Sequence, residues 1–248
     1  YGPIGAGAFS VIITFLDINL YLKFNFNFFL QKASLFLLAN KVNMFIAVSA
    51  SEDQKNEFLQ KNIPPDIHVE FFENNSLINI PENIDAFFDF SPEYLIIKNL
   101  PAEIPVFKNA VALQLKDLPA NYVRFNGWPG FIHRNIFEIV SPKIMEEKTK
   151  KIMDALQWKF IFVPDIQGMI AARIICMIIN EAWYALDDEV STKPEIDTAM
   201  KLGTNYPFGP FEWGEKIGLP QVAELLKKLS ETDSRYVPSP LLLKSVKC

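Results

Sequence analysis

Apolar positions between Met44 and Val140 come in short runs with polar breaks between them. Met44-Phe-Ile-Ala-Val48, closed by Ser49, suits a buried strand. Ser51-Glu-Asp-Gln54 then fits a capping box, and Phe58 and Leu59 lie on the apolar face of the helix it opens. His68–Phe72, Ala86–Phe90, Tyr94–Ile97 and Ala110–Gln114 are predicted strands, and Phe137–Val140 a further one. Strand alternating with short helix predicts a small, parallel, doubly wound sheet.

Beyond Pro142 the pattern becomes helical, apart from a strand at Phe160–Val163. Lys148–Trp158 places Ile152, Ala155 and Leu156 at helical spacing. Met169–Leu186 is nearly all apolar, with Arg173, Asn180 and Glu181 as the strongly polar interruptions. A helix apolar all round is buried all round, so this one should be the spine of a second domain. Val222–Leu229 is amphipathic. The expected organisation is an α/β domain over 44–141 and a helical domain over 142–248. Residues 1–43 should lie outside the functional fold. Their stretch Val11–Leu38 is rich in Phe, Leu and Ile, but Asp17 and Lys23 weaken a membrane span, and a hydrophobic anchor is the lesser alternative. Gly5-Ala-Gly-Ala-Phe-Ser10 imitates part of a dinucleotide loop without the strand before it or the helix after it that such a loop needs.

Composition narrows the chemistry. Half of the 248 residues are apolar, enough for a sizeable core. A formal charge of −5 argues against a nucleic-acid surface. Cys176 and Cys248 form no disulfide framework, and His68 and His133 are too few for a His-rich metal site. A reducing, cytoplasmic setting is expected.

The densest signal is Asp197-Thr-Ala-Met-Lys-Leu-Gly-Thr-Asn-Tyr-Pro-Phe-Gly-Pro-Phe-Glu-Trp-Gly-Glu-Lys-Ile-Gly-Leu219, where Gly and Pro alternate with large aromatics. Glycine admits positive φ and proline locks φ, so such a run fixes backbone shape. With Asp165-Ile-Gln-Gly-Met-Ile-Ala-Ala-Arg173, Asn180-Glu-Ala182 and Ser234-Arg-Tyr-Val-Pro-Ser-Pro240, it resembles the C-terminal domain of the 3-hydroxyacyl-CoA dehydrogenase family. The resemblance runs from about Gly127 to Leu243 and implies a truncated Rossmann-like parallel sheet followed by that family's helical domain.

The family oxidises the 3-hydroxyl of an acyl-CoA with NAD. The resemblance implies a His base, a Glu that orients it, and Ser and Asn that hold the substrate oxygen. In this chain the base position falls at Pro129 and the Asn position at Ala172, and Leu113–Leu118 supplies no Ser. Glu138 matches the orienting Glu. A polar group satisfied beside a strand is the plainer reading of Glu138, and His133 is a candidate displaced base. Where the family has its glycine-rich cofactor loop, this chain has Val48-Ser-Ala-Ser-Glu-Asp53. Glu52 and Asp53 would repel a pyrophosphate, and Ser51 with Gln54 caps the amides it would use. Ser49 and Ser51 are the remaining candidates for cofactor contact, with Glu73 at the ribose position.

No cofactor is expected on the residues alone, and NAD only through the resemblance. The expected function is that of a catalytically impaired family member, serving in acyl-CoA binding or as homodimer or heterodimer partner through the helical domain. One alternative is an active dehydrogenase whose site uses His133 and Glu138. Another is an interaction module without a small ligand. No nucleic-acid partner and no membrane partner are expected.

Overall fold

In the computed structural model, the described residues are 44–72, 80–81, 83–91 and 100–246. The extension 1–43, the Tyr94–Ile97 strand and Glu73 lie outside them. The described α/β part carries β1 (Met44–Ser49), α1 (Glu52–Leu59), β2 (Ile67–Phe72), β3 (Ala86–Asp89), β4 (Val106–Asn109), β5 (Tyr122–Phe125), β6 (Ile136–Val140), α2 (Glu146–Ala155) and β7 (Lys159–Phe162). They form one sheet in the order β2-β1-β3-β4-β5-β6-β7. All neighbours pair in parallel except β5 and β6, which pair antiparallel. This is a Rossmann-like, mostly parallel sheet, and a helical domain follows it.

Ser51 makes the expected capping box: its hydroxyl accepts from Gln54 N at 3.3 Å, and Gln54 Oε1 accepts from Ser51 N at 3.1 Å. Phe58 of α1, Ile152 and Met153 of α2 and Leu156 at the C-cap of α2 join Ile46, Val48, Phe88, Phe107 and Phe125 in one buried cluster. Both helices therefore cover the same face of the sheet. The opposite face buries Ala47, Ile84, Phe87, Val106 and Tyr122.

One predicted strand is displaced and another was not foreseen. The Ala110–Gln114 strand is instead Val106–Asn109, and β5 occupies Tyr122–Phe125. Each carries a buried cation, Lys108 and Arg124, which interrupts the apolar pattern that would have marked it.

The helical domain comprises α3 (Ala171–Asp187), α4 (Lys193–Thr204), α5 (Pro210–Ile217), α6 (Leu219–Ser230) and α7 (Pro240–Val246). Its core joins Ile175, Cys176, Ile179 and Trp183 of α3 to Phe211, Trp213, Leu225 and Leu226. Val111, Trp128 and Phe131 of the α/β part enter the same cluster, so the two parts share one core at their junction. Cys176 is wholly buried there, and burial pushes its thiol pKa up. Among the described residues, no helix is long and apolar enough to cross a membrane.

Candidate functional site

In a doubly wound sheet, ligands sit beyond the carboxyl ends of the strands where the chain order reverses. That point here is between β1 and β3: the chain passes from β1 to β2 on one side and returns through β3 on the other. α1 starts over this crevice. Glu52 and Asp53 occupy its first turn, where their charges interact with the helix dipole.

The polar groups around the crevice are largely committed to one another. Buried Gln54 donates through Nε2 to Phe90 O at 3.1 Å and to Gly127 O at 2.9 Å. Asn109, at the end of β4, donates to Phe90 O at 3.1 Å and accepts from Gly127 N at 3.0 Å. Two side-chain amides thus stitch the ends of β3, β4 and β5 together beside the α1 N-terminus. Gly127 is required there, because a Cβ would lie 2.8 Å from Phe90 Cδ1. Behind the crevice, Lys108 Nζ pairs with Asp89 Oδ2 at 2.7 Å and donates to Ser91 O at 2.8 Å, all three residues being buried.

The other candidate residues separate. Ser49 is buried, and its carbonyl accepts from Phe90 N at 2.8 Å. Ser51 holds the cap already described. Glu138 spends its carboxylate on the start of α3, accepting from Ile170 N at 2.7 Å and Ala171 N at 3.0 Å. A carboxylate at a helix N-terminus satisfies orphan amides and the dipole together. His133 instead approaches Glu57, Nδ1 to Oε2 at 3.5 Å. Among the described residues no contact joins His133 to Glu138. Ala172 is fully buried in the helical core. Among the same residues, no group of three His, Cys, Asp or Glu could hold a metal ion.

Glu57 was not foreseen. It is a buried carboxylate on α1 that accepts from Gly130 N at 2.6 Å and pairs with Lys216 of α5 at 3.3 Å. It fixes the Trp128–Phe131 turn, where the resemblance places the catalytic base. Beside that turn, the space between the end of β4 and α6 is a cleft of only about 100 Å³, bordered by Asn109, Ala112, Trp128, Gln221 and Glu224.

The Asp197–Leu219 run is a helix-joining device. Asp197 Oδ1 accepts from Phe211 N at 2.8 Å, capping α5, while Pro210 takes the first helical position. Glu212 Oε2 accepts from Gly209 N at 2.9 Å. The Lys201 ammonium bonded to Glu212 holds that carboxyl below its usual range, and burial moves Asp197 the other way. Gly209 is obligatory because a Cβ would collide with the Asp197 side chain. Gly209→Ala should therefore cost about 2–4 kcal/mol through crowding and a weakened cap. Gly203→Ala, with nothing within 4 Å of its Cβ, should be neutral or stabilising by up to about 1 kcal/mol. Urea unfolding of both variants checks the pair, and equal effects would contradict this account.

Residues 168–248 match the C-terminal domain of the 3-hydroxyacyl-CoA dehydrogenases. By that match the helical part of the chain carries the C-terminal domain of the 3-hydroxyacyl-CoA dehydrogenase family. It is 44% identical over 82 residues to 3-hydroxyadipyl-CoA dehydrogenase of Escherichia coli K12, covering 32% of this chain and 17% of that protein. It is 38% identical over 102 residues to 3-hydroxybutyryl-CoA dehydrogenase of Bradyrhizobium diazoefficiens, covering 40% of this chain and 35% of that one. The chain thus spans well under half the length of these curated relatives. The fold extends further than the sequence likeness. The crystal structure of (S)-3-hydroxybutyryl-CoA dehydrogenase from Ralstonia eutropha superposes with a TM-score of 0.61 at 16% identity, over 82% of this chain and 93% of that one. The family domain is thus the helical part, and the Rossmann-like sheet is the shared fold around it.

Proposed function

We propose that this family member does not transfer hydride, and that it acts as a dimer partner through its helical domain. The observation that carries the first half is the pair of amides, Gln54 and Asn109, bonded to Phe90 and Gly127 beside the switch-point crevice. The residues there do not fit a dinucleotide: glycines that would admit a pyrophosphate are replaced, and two carboxylates stand in the first turn of α1. The 100 Å³ cleft by Trp128 is also well below the roughly 300 Å³ at which small-molecule pockets begin. Pro129 offers no proton acceptor at the base position, and Glu138 is committed to α3.

For the second half, Ile170 and Ile174, one turn apart at the start of α3, are 48% and 53% exposed. They leave an apolar strip on the helix that forms the spine of the family domain, and pairing would cover it.

The decisive experiment is calorimetric titration of the full chain with NADH, together with NADH oxidation in the presence of acetoacetyl-CoA. The expected result is no binding heat at high micromolar cofactor and no turnover. Saturable heat with turnover that Glu138→Gln abolishes would establish the working dehydrogenase instead. Sedimentation of Ile174→Glu against wild type tests the partner role, the expected outcome being a shift from dimer to monomer.

A further inference from the structure

Toward the β6–β7 edge of the sheet, away from the switch-point crevice, the end of α1, the approach to β6 and the turn into β7 enclose a groove of about 650 Å³. That is within the range of small-molecule sites. Lys61, His133 and Lys159 line it, with several side-chain amides between them. Among the described residues no carboxylate lines it. In a chain of net charge −5, this is a local reversal of sign.

Lys61 is the centre of the argument. Its ammonium donates to Arg134 O at 2.7 Å and lies 4.6 Å from the Phe137 ring and 5.2 Å from the Trp158 ring. Among the described residues no carboxylate pairs with it. It is partly desolvated, and burial pulls its pKa down. A half-buried cation held by one carbonyl and two π faces has attraction left over for an anion. The groove also opens into a second hollow of about 510 Å³, with which it shares Ile136, Trp158 and Lys159. Met153, Phe160 and Ile161 line that hollow, with Asp154 the acidic residue among its walls. Ile136 and Ile161 are both exposed there.

We propose that this groove binds a small amphipathic anion. Its carboxylate or phosphate head sits against Lys61 and Lys159, and its apolar body lies along Ile136, Phe160 and Ile161. The site is separate from the crevice between β1 and β3, so it holds whether or not a dinucleotide binds there.

The test uses the full chain and the four indole N–H signals of its tryptophans in two-dimensional NMR. Trp158 is the one that lines the groove, and its signal is assigned with Trp158→Phe. The probes are octyl phosphate, octanoate, inorganic phosphate and octanol. The expected result is a saturable shift of the Trp158 signal, larger than those of Trp128, Trp183 and Trp213. It should appear with one or both of the amphipathic anions and only weakly with phosphate or octanol. Which anion binds more tightly identifies the head group. Lys159→Glu, at an exposed position that leaves the fold intact, and Lys61→Met should each weaken binding about tenfold. Added salt should weaken it as well. No Trp158 shift with any probe at millimolar concentration would overturn the proposal. Equal shifts of all four indoles, or binding indifferent to Lys159→Glu, would overturn it too.

Discussion

Arg124→Ala is expected to lower the stability of the chain by about 3–5 kcal/mol. Arg124 is on β5, with its side chain wholly buried. Its guanidinium pairs with Asp165, and its Nε donates to Ala110 O at 3.0 Å. Nη2 donates to Val111 O at 3.3 Å and Ile166 O at 3.4 Å. One side chain thus ties the exit of β4 to the segment that leads into α3. Burial pulls its pKa down, and Asp165 opposes that shift. Removal takes one donor from each of three carbonyls and a carboxylate, although Val111 O keeps Gly168 N, Ile166 O keeps Met169 N and Asp165 keeps Leu115 N, and it opens a cavity in a packed layer. Asp165→Asn should cost less, because Asp165 is about a third exposed and water can replace part of what is lost. Urea unfolding gives both numbers. Hydrogen exchange at Gly168 N, which donates to Val111 O at 2.8 Å, should accelerate in Arg124→Ala. A loss below about 0.5 kcal/mol would refute the claim that this guanidinium holds the junction.

Arg124 also explains what the sequence concealed. Strands β1, β3 and β6 are apolar runs, and periodicity places them to within a residue or two. β4 and β5 each bury a cation, Lys108 and Arg124, whose partners are distant in sequence. An interior strand with a charge in it has no periodic signature until its counterion is known. The helical domain was legible for the opposite reason. Its Gly and Pro positions serve local geometry: Gly209 against Asp197, Pro210 at a helix start, Gly218 at φ +95° between α5 and α6.

Pro129, Ala172 and the Ser49–Asp53 turn stand in the sequence where the resemblance places a base, a substrate-holding Asn and a cofactor loop. Gln54 was readable as a capping residue, but its bonds to Phe90 and Gly127 reach across 36 and 73 residues. Glu57 bonds to Gly130 over a separation of 73. Contacts of such span carry no local pattern.

Gly130→Ala is the second large expectation, at about 3 kcal/mol. Gly130 has φ +87°, a backbone state that costs an L-residue roughly 1–2 kcal/mol. An added Cβ would also stand 2.6 Å from Trp213 Cζ3 and 3.0 Å from Lys216 Cε. The lysine can swing away. The indole cannot, since Trp213 is buried between Phe131, at 5.2 Å, and Phe208, at 5.0 Å. Overpacking of this kind costs roughly 1–3 kcal/mol. The two causes can be separated. Trp213→Leu is itself destabilising, but it opens the space the new methyl needs, so Gly130→Ala should cost less in its presence. The expected coupling is about 1–2 kcal/mol in a double-mutant cycle, and what remains is backbone strain. Additivity of the two variants would show that the clash with Trp213 is not felt. The same substitution pushes on the Glu57 carboxylate that holds Gly130 N and Lys216 together, so α1 and α5 should loosen from each other as the turn shifts. In the wild-type chain that junction is held by Glu57, which accepts from Gly130 N and pairs with Lys216.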